Sequence, residues 1–368
     1  MNKEVEKSTV DSTSKQPTGS SLKNADTITK PILQTTAGHW ALILLLIFGG
    51  CCSNVFMLEA LVNRHASGSG QLLTFIQFIF VSLQGFYHFL DIKNSNIKRL
   101  FLAKPKVPLR KWALPVSLFF GVSMLNNLAV WGYSISVPAH IIIRSGGTVT
   151  TMIAGYLVAG KRYKLLQVLS VLILTAGVIL ATLDNSPKDN KPTREGDGTF
   201  SLGVTFLFIA AVLSSIMGLV CEKIYNEYGK HWEENLFYTH FMSLPLFIPF
   251  LPEIFTQLKG IANSSPRVSI PFTSWTTSEA LFYLLLNAVT QYICVRGVNN
   301  LAGHASALTV SIVLNVRKFF SLLLSIYLFG NKLTSGTIIG TLLVSIGASL
   351  YSYSNSRPAR VALEKKTS

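Results

Sequence analysis

The sequence predicts an all-α membrane protein: ten transmembrane helices in two inverted five-helix repeats. Three observations predict it. The 368 residues are 49% hydrophobic and only 13% charged, with a mean hydropathy of +0.43. A soluble domain carries about 25% charged residues. Ten apolar runs follow one another, each near the ~20 residues that a helix needs to cross a bilayer. The stretch from Gly160 can be laid on the stretch from Gly330 at an offset of 170, so that Gly177 falls on Gly347. With five helices per half, the halves have opposite topology, and inverted repeats around a midplane site mark transporters.

Residues 1–36 are rich in Ser, Thr, Lys and Asp. They cannot bury a core and read as a disordered cytosolic tail. The runs then cover 39–62, 71–91, 112–134, 138–159, 165–184, 199–222, 235–255, 276–299, 304–329 and 334–354. The first is long enough to stay in the membrane as a signal anchor, with no cleavage signature before it. The gap 135–137 makes the third and fourth helices a tight antiparallel pair. Gly336 and Gly340 form a GxxxG, a close-packing signal between membrane helices. The transporter domain is thus 37–355, with halves of about 37–184 and 199–354, and 356–368 form a second tail.

Charge gives the orientation. The tails and even-numbered loops hold 21 of the 32 Lys and Arg residues, and the opposite loops hold 7. Positive residues stay cytosolic, so both termini are expected in the cytosol. The sequon Asn263-Ser264-Ser265 falls in the luminal loop 256–275 and offers a glycosylation site at Asn263. Lys365 and Lys366, third and fourth from the end, read as a dilysine retrieval signal for a coat receptor, or as a basic solvated tail. The retrieval reading implies the endoplasmic reticulum membrane, with the Golgi membrane as the alternative, because such a signal recycles between the two. The net charge of +15 resembles that of a nucleic-acid binder. Its placement in short gaps between apolar runs argues against nucleic acid. Cys51, Cys52, Cys221 and Cys294 all lie in apolar runs without paired spacing, so neither a disulfide nor a metal site is expected.

The remaining four cations lie inside the runs: Arg144, Arg296, Arg317 and Lys318. A charge at bilayer depth costs from ~3 to more than 10 kcal/mol, so such residues face a polar cavity. Arg317 and Lys318 are adjacent, and the repeat brings Arg144 within one helical turn of them in the other half. Together they call for an anion: Arg grips phosphate by a bidentate fork, and Lys acts as a point charge. Glu59 is the main acid inside the runs and a charge partner for Arg144 in the structural alternative. Arg296 is read as snorkelling to the interface. Asn126, Asn127, Tyr238, His240, Asn287, Gln291 and Tyr292 also lie mid-run. Each can hydrogen-bond a base, ribose or sugar, or bridge two helices instead. No nucleophile–base pair, metal cluster or phosphate-binding Gly loop stands out, so an enzyme and a bound cofactor are not expected.

Five stretches carry a resemblance: GGCCSNVFMLE at 49–59, PAHIIIRSGGT at 138–148, YGKHWEENLFYTHFMSLPLF at 228–247, TQYICVRGVNNLA at 290–302 and ALTVSIVLNVRKFFSLLLS at 307–325. The chain resembles the nucleotide-sugar transporters of the drug/metabolite transporter superfamily. It is most similar to the UDP-N-acetylglucosamine carriers of fungal endoplasmic reticulum and their animal UDP-xylose/UDP-N-acetylglucosamine relatives. The resemblance implies a central cavity and exchange of a nucleotide-sugar for its nucleoside monophosphate. GDP-mannose carriers hold the base with FYNN and the sugar-phosphate with GALNK. Here those stretches read Phe237-Tyr238-Thr239-His240 and Leu314-Asn315-Val316-Arg317-Lys318. Lys318, Phe237 and Tyr238 carry over. The loss of both asparagines argues against guanine.

The expected function is therefore an antiporter, in the lipid bilayer, that imports UDP-N-acetylglucosamine from the cytosol and exports UMP. Arg144, Arg317 and Lys318 are expected at the phosphates and Tyr238 and His240 near the base. Asn126, Asn127, Gln291 and Tyr292 are further cavity candidates. The alternatives are a carrier of UDP-xylose, UDP-glucuronate or an adenine nucleotide (ADP/ATP), and a non-transporting receptor or assembly subunit. The sequence does not define an oligomer.

Overall fold

The structure is a computed structural model, and it describes residues 38–65, 70–91, 101–129, 133, 143–184, 198–264, 266–269, 276–328 and 335–367. The predicted tail 1–36 lies outside the described residues. So do the side chains of Glu59, Lys365 and Lys366. The chain divides into a small unit, 1–42, whose described residues 38–42 are helical, and a body, 43–368.

Helix falls in each of the ten predicted runs. The body opens on a π-helical turn, Leu46–Gly50, which leads into α1 (Cys51–His65). Then follow α2 (Gly70–Phe89), α3 (Leu109–Asn127), α4 (Gly147–Leu157), α5 (Leu165–Asp184) and α6 (Gly198–Tyr228). The seventh run is broken into α7 (Trp232–Phe241), a 3-10 turn at Leu244–Phe250, and α8 (Leu251–Ala262). Pro245, Pro249 and Pro252 explain the break, because each removes a backbone donor from the i→i−4 ladder. The last helices are α9 (Glu279–His304), α10 (Ala307–Leu328) and α11 (Ser335–Thr367). Among the described residues, five helical stretches are long and apolar enough to cross a membrane: Gly38–Leu58, Gly70–Phe89, Ser201–Tyr228, Trp232–Ala262 and Glu279–His304.

The loop expected at 256–275 is more ordered than the sequence suggests. α8 runs through its first third, and β1 (Arg267–Ser269) pairs antiparallel with β2 (Thr276–Ser278), so the fold is helical with one small hairpin. Asn263 follows α8 as its exposed C-terminal cap. The hairpin leads directly into α9, where the Ser278 hydroxyl accepts the Leu281 N–H as an N-cap.

The cysteine expectation is corrected. Cys51 on α1 and Cys294 on α9 are joined by a disulfide, with Cα atoms 4.6 Å apart. The two helices approach backbone to backbone here. A Cβ on Gly50 would lie 2.8 Å from the Cys294 nitrogen, and one on Gly297 would lie 3.0 Å from the Ile47 nitrogen. Cys52 and Cys221 are free and buried. Alkylation of the denatured protein is therefore expected to label two cysteines before reduction and four after it. Four labelled residues without reductant would remove the bridge.

Among the described residues, α5 and α11 form the most extensive helix contact. A Cβ on Gly177 would lie 2.9 Å from both the Gly340 oxygen and the Val344 nitrogen. A Cβ on Gly347 would lie 2.8 Å from both the Ser170 oxygen and the Leu174 nitrogen. Only glycine permits this approach. Lipid tails are as apolar as Leu, so such shape matching is what holds membrane helices together. Around the glycines, Val171, Leu174, Val178 and Val344 are all at most 3% exposed and form one apolar cluster with Ile312 and Phe319 of α10.

Candidate functional site

Arg144, Arg317 and Lys318 converge where α10 crosses the helical turn 143–145 just before α4. The Lys318 ammonium donates to the Arg144 carbonyl oxygen at 3.0 Å and to Asn315 Oδ1 at 2.9 Å. The spacing i, i+3 puts Asn315 and Lys318 on one face of α10. Asn315 is 2% exposed, and its amide donates to the Ser145 carbonyl at 2.9 Å and to the Thr148 hydroxyl. Asn315 thus clasps the start of α4 with one end of its amide and holds Lys318 with the other. Two of the three lysine donors are committed, which leaves one for a ligand. Arg317 Nε is buried without a hydrogen-bond partner.

The three cations lie within electrostatic reach of one another. Among the described residues no carboxylate lies at ion-pair distance from any of them. The proposed partner Glu59 falls outside the described side chains. Like charges in a low-dielectric interior repel strongly, and an unpaired buried charge costs several kcal/mol. Such a cluster persists where an anion offsets it. One wall beside it is built of hydroxyls. Thr150 and Thr151 of α4 meet the Ser215 hydroxyl of α6 at 2.8 and 3.0 Å, and Thr151 approaches Ser311 of α10 at 3.5 Å. One turn beyond Lys318, Ser321 meets Cys52 of α1 at 3.0 Å.

A model of the UAA transporter family matches residues 39–355. The chain belongs to that family. Among its relatives is the UDP-N-acetylglucosamine transporter yea4 of Schizosaccharomyces pombe, 46% identical over 87% of this chain and 97% of the relative. The UDP-xylose and UDP-N-acetylglucosamine transporter of Danio rerio is 37% identical over 83% of this chain and 91% of its own length. The endoplasmic reticulum GDP-fucose transporter of Drosophila melanogaster is 39% identical over 84% and 88%. The resemblance first read from five short stretches therefore extends along nearly the whole chain. Its relatives are transporters and not enzymes.

In this UAA family member the other candidates lie on separate walls. Tyr238 and His240 sit on α7, which packs on α2, α3 and α9. The Tyr238 ring lies 5.0 Å from that of Phe237, tilted by 56°, and Tyr238 is 7% exposed. His240 is 3% exposed, with its ring 4.9 Å from Phe78 and 4.8 Å from Phe119. Its Nδ1 lies 2.7 Å from the Leu236 oxygen one turn back. Asn126 donates to the Val122 carbonyl of its own helix at 2.7 Å, and Asn127 joins α3 to α2 through the Thr74 hydroxyl at 2.8 Å. Asn287 is fully buried and bridges helices: it accepts from Gln77 at 2.7 Å and exchanges side-chain-to-backbone bonds with Asn54. Gln291 lies half-buried on α9. The Tyr292 hydroxyl accepts from Arg296 at 2.9 Å.

Sequence reasoning missed Asn315, although a polar residue one turn before Lys318 on the same helix face was a usable signal. It also missed two acids that organise the helix ends. The Glu222 carboxylate binds Lys161 in the turn after α4 and accepts the Ala307 N–H at 2.9 Å, where α10 begins. The buried Glu234 carboxylate accepts the Lys106 and Val107 N–H groups at 2.7 and 3.1 Å. Each stands at the edge of an apolar run and reads as a solvated end until its partners are known.

Proposed function

We propose that this chain exchanges a UDP-sugar, UDP-N-acetylglucosamine first among candidates, for UMP across the endoplasmic reticulum membrane by alternating access. The observation that carries the reading is the meeting of Arg144, Arg317 and Lys318 with one lysine donor uncommitted and no carboxylate beside them among the described residues. A diphosphate offsets that charge. Exchange follows from the same physics: an empty cationic cavity resists reorientation in low dielectric, and either anion neutralises it. Tyr238 and His240 are assigned to the base end, and Asn126, Asn127 and Gln291 to the rest of the cavity, while Tyr292 is taken up by Arg296.

The proposed architecture is ten helices in two inverted halves. Three contacts support it. Gly177 meets Gly340 and Val344, and its repeat mate Gly347 meets Ser170 and Leu174, the mates of those two residues at the same offset of 170. Asn315 bonds the Ser145 carbonyl, again 170 residues away. A residue that touches its own repeat mate lies on a pseudo-two-fold axis, and this axis passes beside the cations. Both termini are assigned to the cytosol. In that orientation Asn263 is luminal, and its exposed position at the end of α8 makes it an acceptor. Expression in a glycosylating host is expected to give a mass shift that glycosidase removes and Asn263→Gln abolishes. An unmodified Asn263 beside a glycosylated site engineered at either terminus would reverse the orientation.

The test of the exchange is reconstitution of the purified protein in vesicles loaded with UMP. Labelled UDP-N-acetylglucosamine should enter saturably and only with internal UMP. UDP-xylose is included as competitor because the Danio rerio relative carries both names, and GDP-fucose because of the Drosophila melanogaster relative. A competitor that outranks UDP-N-acetylglucosamine would rename the substrate. Folded protein that takes up no nucleotide-sugar would end the antiporter reading and favour a receptor or assembly subunit.

A further inference from the structure

A cleft lies between the end of α2, the start of α7 and the middle of α9, apart from the cation cluster on α10. It is lined by Gln84, His88, Trp232, Glu233, Tyr292 and Arg296, among others. Its charged groups are held in place. The Tyr292 hydroxyl accepts from Arg296 at 2.9 Å, and the guanidinium lies 5.8 Å from the Trp232 ring centroid. On the opposite rim His88 Nε2 is 3.4 Å from a Glu233 oxygen. Arg296 is exposed, and among the described residues no carboxylate pairs with it. The cleft therefore presents the Arg296 guanidinium on one rim and the Glu233 carboxylate, beside His88, on the other, with aromatic rings between them.

Its surroundings are apolar. Tyr292 and Arg296 continue the helical stripe of Leu285 and Val289, which are 51% and 38% exposed. On α2, Leu83 and Tyr87 are 61% and 82% exposed. An exposed apolar stripe on a membrane helix faces lipid, and Trp and Tyr concentrate where the headgroups begin. A cationic side chain at that level reaches towards a phosphate.

We propose that this cleft is a binding site for a zwitterionic phospholipid headgroup of the phosphoethanolamine type. Arg296 takes the phosphate, with Tyr292 and Trp232 fixing the guanidinium. Glu233 takes the ammonium. The acyl chains lie along Leu285 and Val289. The charges decide against a nucleotide here: a nucleotide-sugar brings no cation for Glu233, and the carboxylate would repel its phosphates.

The test uses the full chain purified in detergent. Dihexanoyl phosphatidylethanolamine is titrated and thermal unfolding is followed. Dihexanoyl phosphatidate supplies a lipid without the ammonium, and UMP and inorganic phosphate supply phosphate without the lipid. Saturable stabilisation by phosphatidylethanolamine is expected. Arg296→Met should raise the half-saturating concentration of both lipids at least about tenfold. Glu233→Gln should raise it about tenfold for phosphatidylethanolamine alone. Should Arg296→Met not fold, the exposed Glu233→Gln carries the test through the difference between the two lipids. Displacement of the lipid by UMP or phosphate would overturn the proposal and make the cleft a nucleotide vestibule. Equal binding by wild type and Glu233→Gln would also overturn it.

Discussion

Lys318→Met is expected to lower exchange on the order of a hundredfold while the protein still folds. A hydrogen bond from a charged donor contributes ~1.5–3 kcal/mol, and each 1.4 kcal/mol is tenfold. The upper half of that range applies, because the half-buried ammonium stands beside two guanidiniums. Methionine keeps the apolar stem and removes the charge. It also leaves Asn315 Oδ1 without its lysine donor, and a buried unpaired acceptor costs ~1–3 kcal/mol. A modest fall in unfolding temperature should therefore accompany the loss of exchange. The activity is to be read per folded molecule, from size-exclusion peak and vesicle incorporation. Wild-type turnover by this variant would remove Lys318 from the substrate path and leave it as a tie between α10 and the start of α4.

Gly347→Leu should produce the largest loss of stability from a single glycine. Its first side-chain carbon would already stand 2.8 Å from the Ser170 oxygen and the Leu174 nitrogen, and both are backbone atoms that cannot swing away. Overpacking a tight contact costs ~1–3 kcal/mol or more. At ~2–4 °C per kcal/mol the unfolding temperature should fall by roughly 5–10 °C. Gly177→Leu should behave alike, because Gly177 makes the reciprocal contact with Gly340 and Val344. Gly121→Ala is the control: nothing lies within 4 Å of that position, so its stability should hold. If Gly347→Leu unfolds at the wild-type temperature, α5 and α11 do not pack as described.

The membrane class and the cations were legible because both are local signals. Arg317 and Lys318 stand out in an apolar run whatever the chain does elsewhere. The bridge between Cys51 and Cys294 was not legible: the two are 243 residues apart and look like small apolar residues in their own runs. The environment of His240 was equally hidden. Its place in the stretch that matches FYNN implied a base contact, and Phe78 and Phe119, which flank its ring, come from two other helices. Arg296 was read as a snorkelling side chain. Its exposure agrees with that, but Trp232 and Glu233 from α7 are what turn its surroundings into a cleft.

The sequence by itself determined the apolar helices and the placing of four cations within apolar stretches. These follow from backbone hydrogen bonding and transfer free energy, which act within about twenty residues. Only the tertiary structure decided that Lys318 meets the Arg144 carbonyl, that Asn315 ties Lys318 to Ser145 and Thr148, and that Gly177 packs on Gly340 and Val344 while Gly347 packs on their repeat mates Ser170 and Leu174. Helices inside a bilayer gain nothing from leaving water a second time. Their neighbours are chosen by shape and by the few polar groups that must find partners, and both depend on residues far apart in the chain.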